Sequence, residues 1–487
     1  MKLRKLFSFY RYLMFGLVIF GCSLLCLKAL AQAGSWSNPV NISESAGNSS
    51  FPSLTVDAFG NVHLVWIEEI GPDEVVVMYT SLNENGWSDP IDIFASSSVD
   101  PIRDVQLLGD SSGNLHIFLY WQGIRYSRAD AMEAGSARSW LSPEMLVQPY
   151  YALTSPYATI APDDSIHLVY AIQTGSGSGL YAIQSVDYGE IWSDPIGVYI
   201  SPSATQAIDK AVMAVDGAGT QHVVWGETNY PETFPPVGIR YTSSADGQVW
   251  KEPDSLADGP YAEPAILAAE DSSLHVVWSG TATARYKFHS WSKDSGNTWT
   301  DPWRNEDLGG IQGSPALCAD SLDRIYWLQV GTIFSLPDSD LVNNDGLLEN
   351  IFQERNWSSG AILLTGSVEQ QNLANVTAVI AQGNQLHAAL MNPLSIDNGS
   401  YQFEIFYLYK SLDAPPITIT LQPTTNTPVL PEPTPTTLFK SALNSSPTPR
   451  FETNPAPAIS NWTSVLAGLL PAAALVVIVT AAIRRRK

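Results

Sequence analysis

The stretch Asp57-Ala-Phe-Gly60-Asn-Val-His63-Leu-Val-Trp66 returns as Asp216-Gly-Ala-Gly219-Thr-Gln-His222-Val-Val-Trp225. An acidic or glycine turn leads into a histidine, then into an apolar run that ends at an aromatic residue. Six of the chain's seven histidines share this setting: His63, His116, His167, His222, His275 and His387. Asp271 to Trp278 is a shortened copy, and Asp320 to Trp327 places Arg324 where histidine is expected. Counting that arginine, successive spacings are 53, 51, 55, 53, 49 and 63 residues. A period near fifty with strand-like content predicts propeller blades, because each such unit buries its faces only by packing on its neighbours.

A second marker follows within each unit, a tryptophan with polar residues and often proline after it. It reads Trp87-Ser-Asp-Pro90, Trp192-Ser-Asp-Pro195, Trp250-Lys-Glu-Pro253 and Trp299-Thr-Asp-Pro302, with Trp140 and Trp357 as looser copies. Four short strands per unit are expected: before the turn, through the histidine, up to a serine, and from the tryptophan. Trp36-Ser-Asn-Pro39 is an orphan tryptophan strand at the start, and the last unit lacks one at its end. Joining them closes a ring and leaves no exposed sheet edge. The predicted fold class is all-β, a propeller of seven four-stranded blades over 34–412, with six blades as the alternative. Catalytic groups are not normally replicated around a ring, so each histidine is expected to fill one interior place and bond a neighbouring turn.

Ser292-Lys-Asp294-Ser-Gly296-Asn-Thr-Trp299 and Ser185-Val-Asp187-Tyr-Gly189-Glu-Ile-Trp192 resemble the Asp-box, or BNR, repeat of the sialidase superfamily. Ser244-Ala-Asp246-Gly247-Gln-Val-Trp250 is similar to it, one residue short. The physical content is a tight turn in which Asp accepts backbone N–H groups, Gly takes a positive φ and Trp packs between sheets. The resemblance implies the propeller fold, and for sialidases themselves six blades, an arginine triad for the sugar carboxylate, a Tyr nucleophile with a Glu partner, and an Asp acid/base. Their first arginine lies in a Phe/Tyr-Arg-Ile-Pro motif, for which the nearest string here is Pro101-Ile-Arg103-Asp104.

The two ends predict export and anchoring. Residues 1–33 carry Lys2, Arg4, Lys5 and Arg11, an apolar run from Leu13 to Leu27, and small residues at Ala29, Ala31 and Ala33. That order reads as a secretory signal peptide, with an uncleaved anchor as the alternative. Residues 464–483 lack any charge, match a bilayer span, and precede the basic tail 484–487, which places the propeller outside the cell. Between them 413–463 reads as a disordered stalk, with eleven prolines in 413–457. The signal holds five Lys or Arg and the tail four, with no acid in either, so 16 bases face 48 acids in the exported part, a net charge near −32. Such a surface repels nucleic acid. Cys22 and Cys26 lie in the signal, which leaves Cys318 alone and excludes an intrachain disulfide.

If turns and boxes occupy one face, the loops after the histidine strands and the crossings between blades occupy the other. Those segments hold Glu68, Glu69, Arg103, Asp104, Tyr150, Tyr151, Asp209, Glu227, Tyr230, Tyr261 and Glu263, and Arg285 lies near the start of a strand feeding a box. They form the candidate ligand face. Basic groups are scarce there, which disfavours a three-arginine clamp. The expected function is a membrane-anchored extracellular propeller that binds a glycan or protein ligand without catalysis, the alternative being a sialidase-like exo-glycoside hydrolase. No cofactor is expected. An insertion at about 331–353, with Asp338, Asp340, Asn343, Asn344 and Asp345, reads as a lid or a calcium loop but lacks EF-hand spacing.

Overall fold

The computed structural model describes residues 34–417 apart from 72, 150–152, 174, 176, 204–205, 230–235, 282–283, 311–312, 335–344, 367–372 and 396–400. The chain divides into Met1–Thr424 and Thr425–Lys487, and only the first contains described residues. The expected signal, most of the stalk, the span 464–483 and the basic tail therefore lie outside them. Among the described residues no helix is long and apolar enough to cross a membrane.

The described residues form an all-β, propeller-like arrangement of antiparallel sheets. Asn48–Val56, Val62–Gly71, Glu74–Asn83 and Ile91–Ser97 pair in that order. The next three sheets begin at Asp104–Gly109, Tyr157–Ile160 and Gln206–Val215, and each has four strands. A nine-stranded sheet follows, in which Leu308 and Gly309 pair with Ile333 and Thr332 to join two repeat units. The last sheet combines Ala374–Ala381, Gln385–Ser395 and Tyr401–Ser411 with Val40–Asn41 from the other end of the chain. Val40 pairs with Tyr407 and Trp36 bridges Lys410, so the orphan tryptophan segment lies on the last sheet.

The outer strands begin later than their tryptophans suggested. Ile91–Ser97, Ile196–Ile200, Asp254–Asp258 and Trp303–Gly309 each start directly after the proline. Proline has no N–H to give the ladder, so pairing starts beyond it. The insertion is also shorter than expected: Gly331 and Thr332 pair with Gly346 and Asp345, which lengthens a hairpin. Asp338, Asp340, Asn343 and Asn344 lie outside the described residues.

One interior relay explains the repeat. In the first unit His63 Nε2 lies 3.1 Å from Asp57 Oδ2 and Nδ1 lies 2.7 Å from Tyr79 Oη. His116 does the same with Asp110 and Tyr126, and His222 with Asp216 and Tyr241. The tryptophan of the following unit then packs edge-on against that tyrosine, Trp192 on Tyr126 and Trp299 on Tyr241 at centroid distances of 5.1 and 5.0 Å. Trp87 of the first unit packs on Tyr407 of the last in the same way. Box glycines complete the fit. A Cβ on Gly296, at φ +80, would lie 1.7 Å from Tyr241 Oη. Between the sheets Trp66, Trp225, Trp278 and Trp327 are fully buried, each a place where truncation to alanine costs about 3–5 kcal/mol.

Arg324 replaces histidine for a visible reason. Its guanidinium reaches Asp320 of its own turn at 2.6 Å and Asp413, just past the last strand, at 2.5 Å. An imidazole is too short to hold both. Leu412 and Ala414 are buried beside it, so the chain is clasped where it leaves the last sheet.

Candidate functional site

The turns set a register that locates the site. The N–H of Asp57, Asp110, Ala161, Asp216, Ala269 and Asp320 closes each turn onto a carbonyl four residues on, and Ala381 occupies the equivalent place in the last unit. Six residues before these lie Phe51, Asp104, Ser155, Lys210, Glu263, Ser314 and Asn375. All of them line one cavity of about 600 Å³, walled by the first strand of every unit. The first strands break register there, between Ser50 and Ser53, Ile208 and Ala211, Ala262 and Ala265, and Ala374 and Thr377. Phe51, Glu263 and Asn375 take φ of +52, +53 and +48 at these bulges, a conformation that non-glycine residues adopt at a cost.

Polar groups meet across this cavity. Lys210 Nζ lies 3.6 Å from Glu263 Oε2. It also donates to Ser314 Oγ, which donates in turn to Glu263 Oε2 at 2.8 Å. Burial raises the Asp104 carboxyl above its usual range, opposed by Lys210 and a hydrogen bond with Ser155. Burial and then the Glu263 charge raise Asp209, again opposed by Lys210. Behind Glu263, Lys287 is fully buried with Nζ on Ser279 Oγ at 2.9 Å, and burial brings its ammonium down to about 7.

The expected face residues divide into three groups. Asp104, Asp209 and Glu263 come together in the cavity. Glu69, Arg103 and Arg285 are exposed and do not line it, and the Arg285 guanidinium lies 4.7 Å over the Phe334 ring. Glu68 and Glu227 are buried instead, which corrects their assignment to a ligand face, while Tyr261 is half-buried and does not line the cavity. Glu68 is buried and accepts from Trp66 Nε1 at 3.0 Å and Ser49 Oγ at 2.6 Å. Glu227 holds Arg240 at 2.8 Å, and Tyr261 packs edge-on against Trp278 and Phe288. Tyr150, Tyr151 and Tyr230 lie outside the described residues. Phe51, Ser155, Ser314 and Asn375 were not anticipated, although counting back six residues from each turn finds them.

The box residues lie at the other ends of the strands. Ser292 Oγ donates to Asp294 Oδ1 at 2.8 Å and accepts from the Gly296 N–H at 2.9 Å, while Asp294 takes the Thr298 N–H. Ser185, Asp187 and Gly189 repeat these bonds, as do Ser244, Asp246 and Gly247 one residue shorter. Trp192, Trp250 and Trp299 tuck against the sheets. These carboxylates hold the turns together. Among the described residues no group of three or more His, Cys, Asp or Glu could hold a metal ion.

No arginine lines the cavity, and Lys210 is its one cation among the described residues. No family model matches the chain, and no curated protein matches it. Among solved structures, it is similar to a protein of unknown function from Dyadobacter fermentans DSM 18053, at 13% identity over 77% of this chain and 98% of that chain, with a TM-score of 0.46. It is also similar to a PL25 ulvan lyase bound to -[GlcA(1-4)Rha3S]-, at 12% identity over 76% and 94%, with a TM-score of 0.47. The intramolecular trans-sialidase from Ruminococcus gnavus in complex with oseltamivir carboxylate matches at 12% identity over 76% and 96%, with a TM-score of 0.43. These likenesses are distant.

Proposed function

We propose that the repeat units are the seven blades of one closed propeller, displayed outside the cell, that binds a glycan or protein ligand at its axial cavity without hydrolysing it. In this reading 1–33 is removed on export, 413–463 is the stalk, 464–483 crosses the membrane and 484–487 remains inside. One observation carries the binding site. The interior place repeats histidine in six of seven units, as a symmetric scaffold requires. The axial place holds Phe51, Asp104, Ser155, Lys210, Glu263, Ser314 and Asn375. A packing role repeats with the scaffold, whereas an asymmetric ligand demands a different side chain from each blade.

The cavity's donors support the reading without hydrolysis of a sialoside. A sialic acid carboxylate needs fixed bidentate cations, and the cavity offers one lysine already held by Glu263 and Ser314. Hydroxyl groups and carboxylates instead suit a neutral polyol or a cationic group. The test is binding of the full chain to a glycan array with Glu263→Gln and Asn375→Ala as variants. Selective loss of signals in both supports the reading, and unchanged profiles contradict it.

The hydrolase alternative rests on Asp104 and Asp209, whose raised carboxyls are what an acid catalyst requires. Turnover of a fluorogenic glycoside that disappears in Asp209→Asn would favour it.

A further inference from the structure

A second groove lies on the outer rim, away from the axial cavity, between the strand Trp303–Gly309 and the segment 357–359. Its volume is about 570 Å³, inside the ordinary range of small-ligand sites. Two tryptophans from different repeat units meet in it. Trp303 stacks on Trp357 with ring centroids 5.8 Å apart and planes 27° from parallel. Trp357 is the repeated box tryptophan, and its Nε1 donates to His289 Nδ1 at 3.0 Å, so its place has a structural cause.

Trp303 has none. It directly follows the proline of its Trp-Thr-Asp-Pro sequence, where the other units carry Val40, Ile91, Ile196 and Asp254. It is 39% exposed, and its indole N–H makes no hydrogen bond among the described residues. One face of this large ring is covered by Trp357, and more than a third of the side chain stays in water beside a groove.

The flanking groups are polar and partly fixed. The Arg304 guanidinium sits 4.7 Å over the Tyr286 ring and pairs with Glu306, both side chains being largely exposed. Asp307 Oδ2 accepts the Gly360 N–H at 3.2 Å, which leaves Oδ1 without a partner among the described residues. Beneath them Asn305 donates to Asn350, which donates to the Ser358 carbonyl, so the floor does not depend on a ligand.

We propose that this groove binds a neutral saccharide, with a pyranose ring laid on Trp303 and its hydroxyl edge toward Arg304, Glu306 and Asp307. A pyranose presents an apolar C–H face, which packs on an indole, and an edge of hydroxyls, which donate to carboxylates and accept from a guanidinium. Two carboxylates against one guanidinium leave the groove negative, and the exported chain is strongly acidic, so anionic sugars are excluded. The proposal is independent of the axial site, since no residue lines both cavities.

The test is calorimetric titration of the full chain in detergent with three neutral probes, the β-1,4-linked hexasaccharides of glucose, mannose and N-acetylglucosamine. At least one is expected to bind with a dissociation constant below about 1 mM, weakened at least about tenfold in Trp303→Ala. Trp303→Phe keeps a ring and is expected to restore binding to within about threefold of the native chain, which separates stacking from folding. Glu263→Gln leaves this affinity unchanged. No binding by any probe overturns the proposal, as does binding that survives Trp303→Ala. Binding lost in Glu263→Gln but kept in Trp303→Ala would place the sugar in the axial cavity, overturning this proposal while supporting the axial reading.

Discussion

Lys210 and Glu263 hold the same place in consecutive repeat units and meet over the axial cavity, Nζ 3.6 Å from Oε2, with Ser314 between them. The contact makes one cation serve three carboxylates, because Asp104 and Asp209 also feel Lys210. Lys210→Met is therefore expected to destabilise the chain at pH 7 by only about 0.5–1 kcal/mol, since the side chain is partly exposed and screened. At pH 4, with more of the carboxyls protonated, the penalty shrinks. Thermal melts of both proteins at the two pH values check this, and a penalty that grows on acidification would refute it.

Acid sensitivity has its own source in the interior. Burial depresses His275 and His387 to about 4, below the 6.5 of an exposed imidazole. Between pH 6.5 and 4 the unfolded chain binds protons that the folded chain refuses, so stability falls as pH falls through that window. Each histidine contributes about 2–3 kcal/mol to the loss. His387→Gln is expected to flatten the melting profile there. Asp57, Asp110 and Asp216 act lower down: burial opposes their charge, but bonds from His63, His116 and His222 and nearby N–H groups outweigh it and hold each carboxyl below the usual range.

The repeat was legible because its causes are local. An Asp or Gly turn, a histidine and a tryptophan recur wherever a repeat unit must close a turn and fill a seam, so strand order, the place of the Trp36 segment on the last sheet and the interior place of His63 and His116 could be read from spacing. The axial site was half legible. Asp104, Asp209 and Glu263 were found as acids on the crossings between repeat units, but Phe51, Ser155, Ser314 and Asn375 share a place, not a residue type, and only backbone register reveals it. Glu68 and Glu227 misled because charge at the end of a strand suggests exposure, whereas Trp66 and Arg240 draw those carboxylates inside.

Gly296→Ala tests the box as a packing device. The new methyl group would meet Tyr241 Oη at 1.7 Å in a backbone conformation of φ +80. The expected cost is about 2–4 kcal/mol, read from denaturant melts. Gly217→Ala, where the added carbon meets nothing within 4 Å, is the control and should change stability by less than about 1 kcal/mol. Equal effects would remove the box–tyrosine contact from the account.

Lys287 is expected to be a liability. Burial brings its ammonium down to about 7 despite the attraction of Glu263 and Asp345, so the unfolded chain binds the extra proton between pH 7 and 10.5. Stability should rise with pH across that range. Lys287→Met removes the cost, raising stability at pH 7 by about 1–3 kcal/mol and flattening the slope. A destabilised variant with an unchanged slope would show that the lysine is held by more than Ser279.

The central claim is that unlike side chains at one place in each blade form a recognition site that does no chemistry. Glycan-array binding by the full chain, compared between Trp303→Ala and Trp303→Ala with Glu263→Gln, tests it with the rim groove disabled in both. A fluorogenic sialoside is incubated with the same samples. The account predicts discrete signals in the first protein, their loss in the second, and no release of fluorophore by either. Identical binding profiles, or turnover that disappears when Asp209→Asn is introduced, would contradict it.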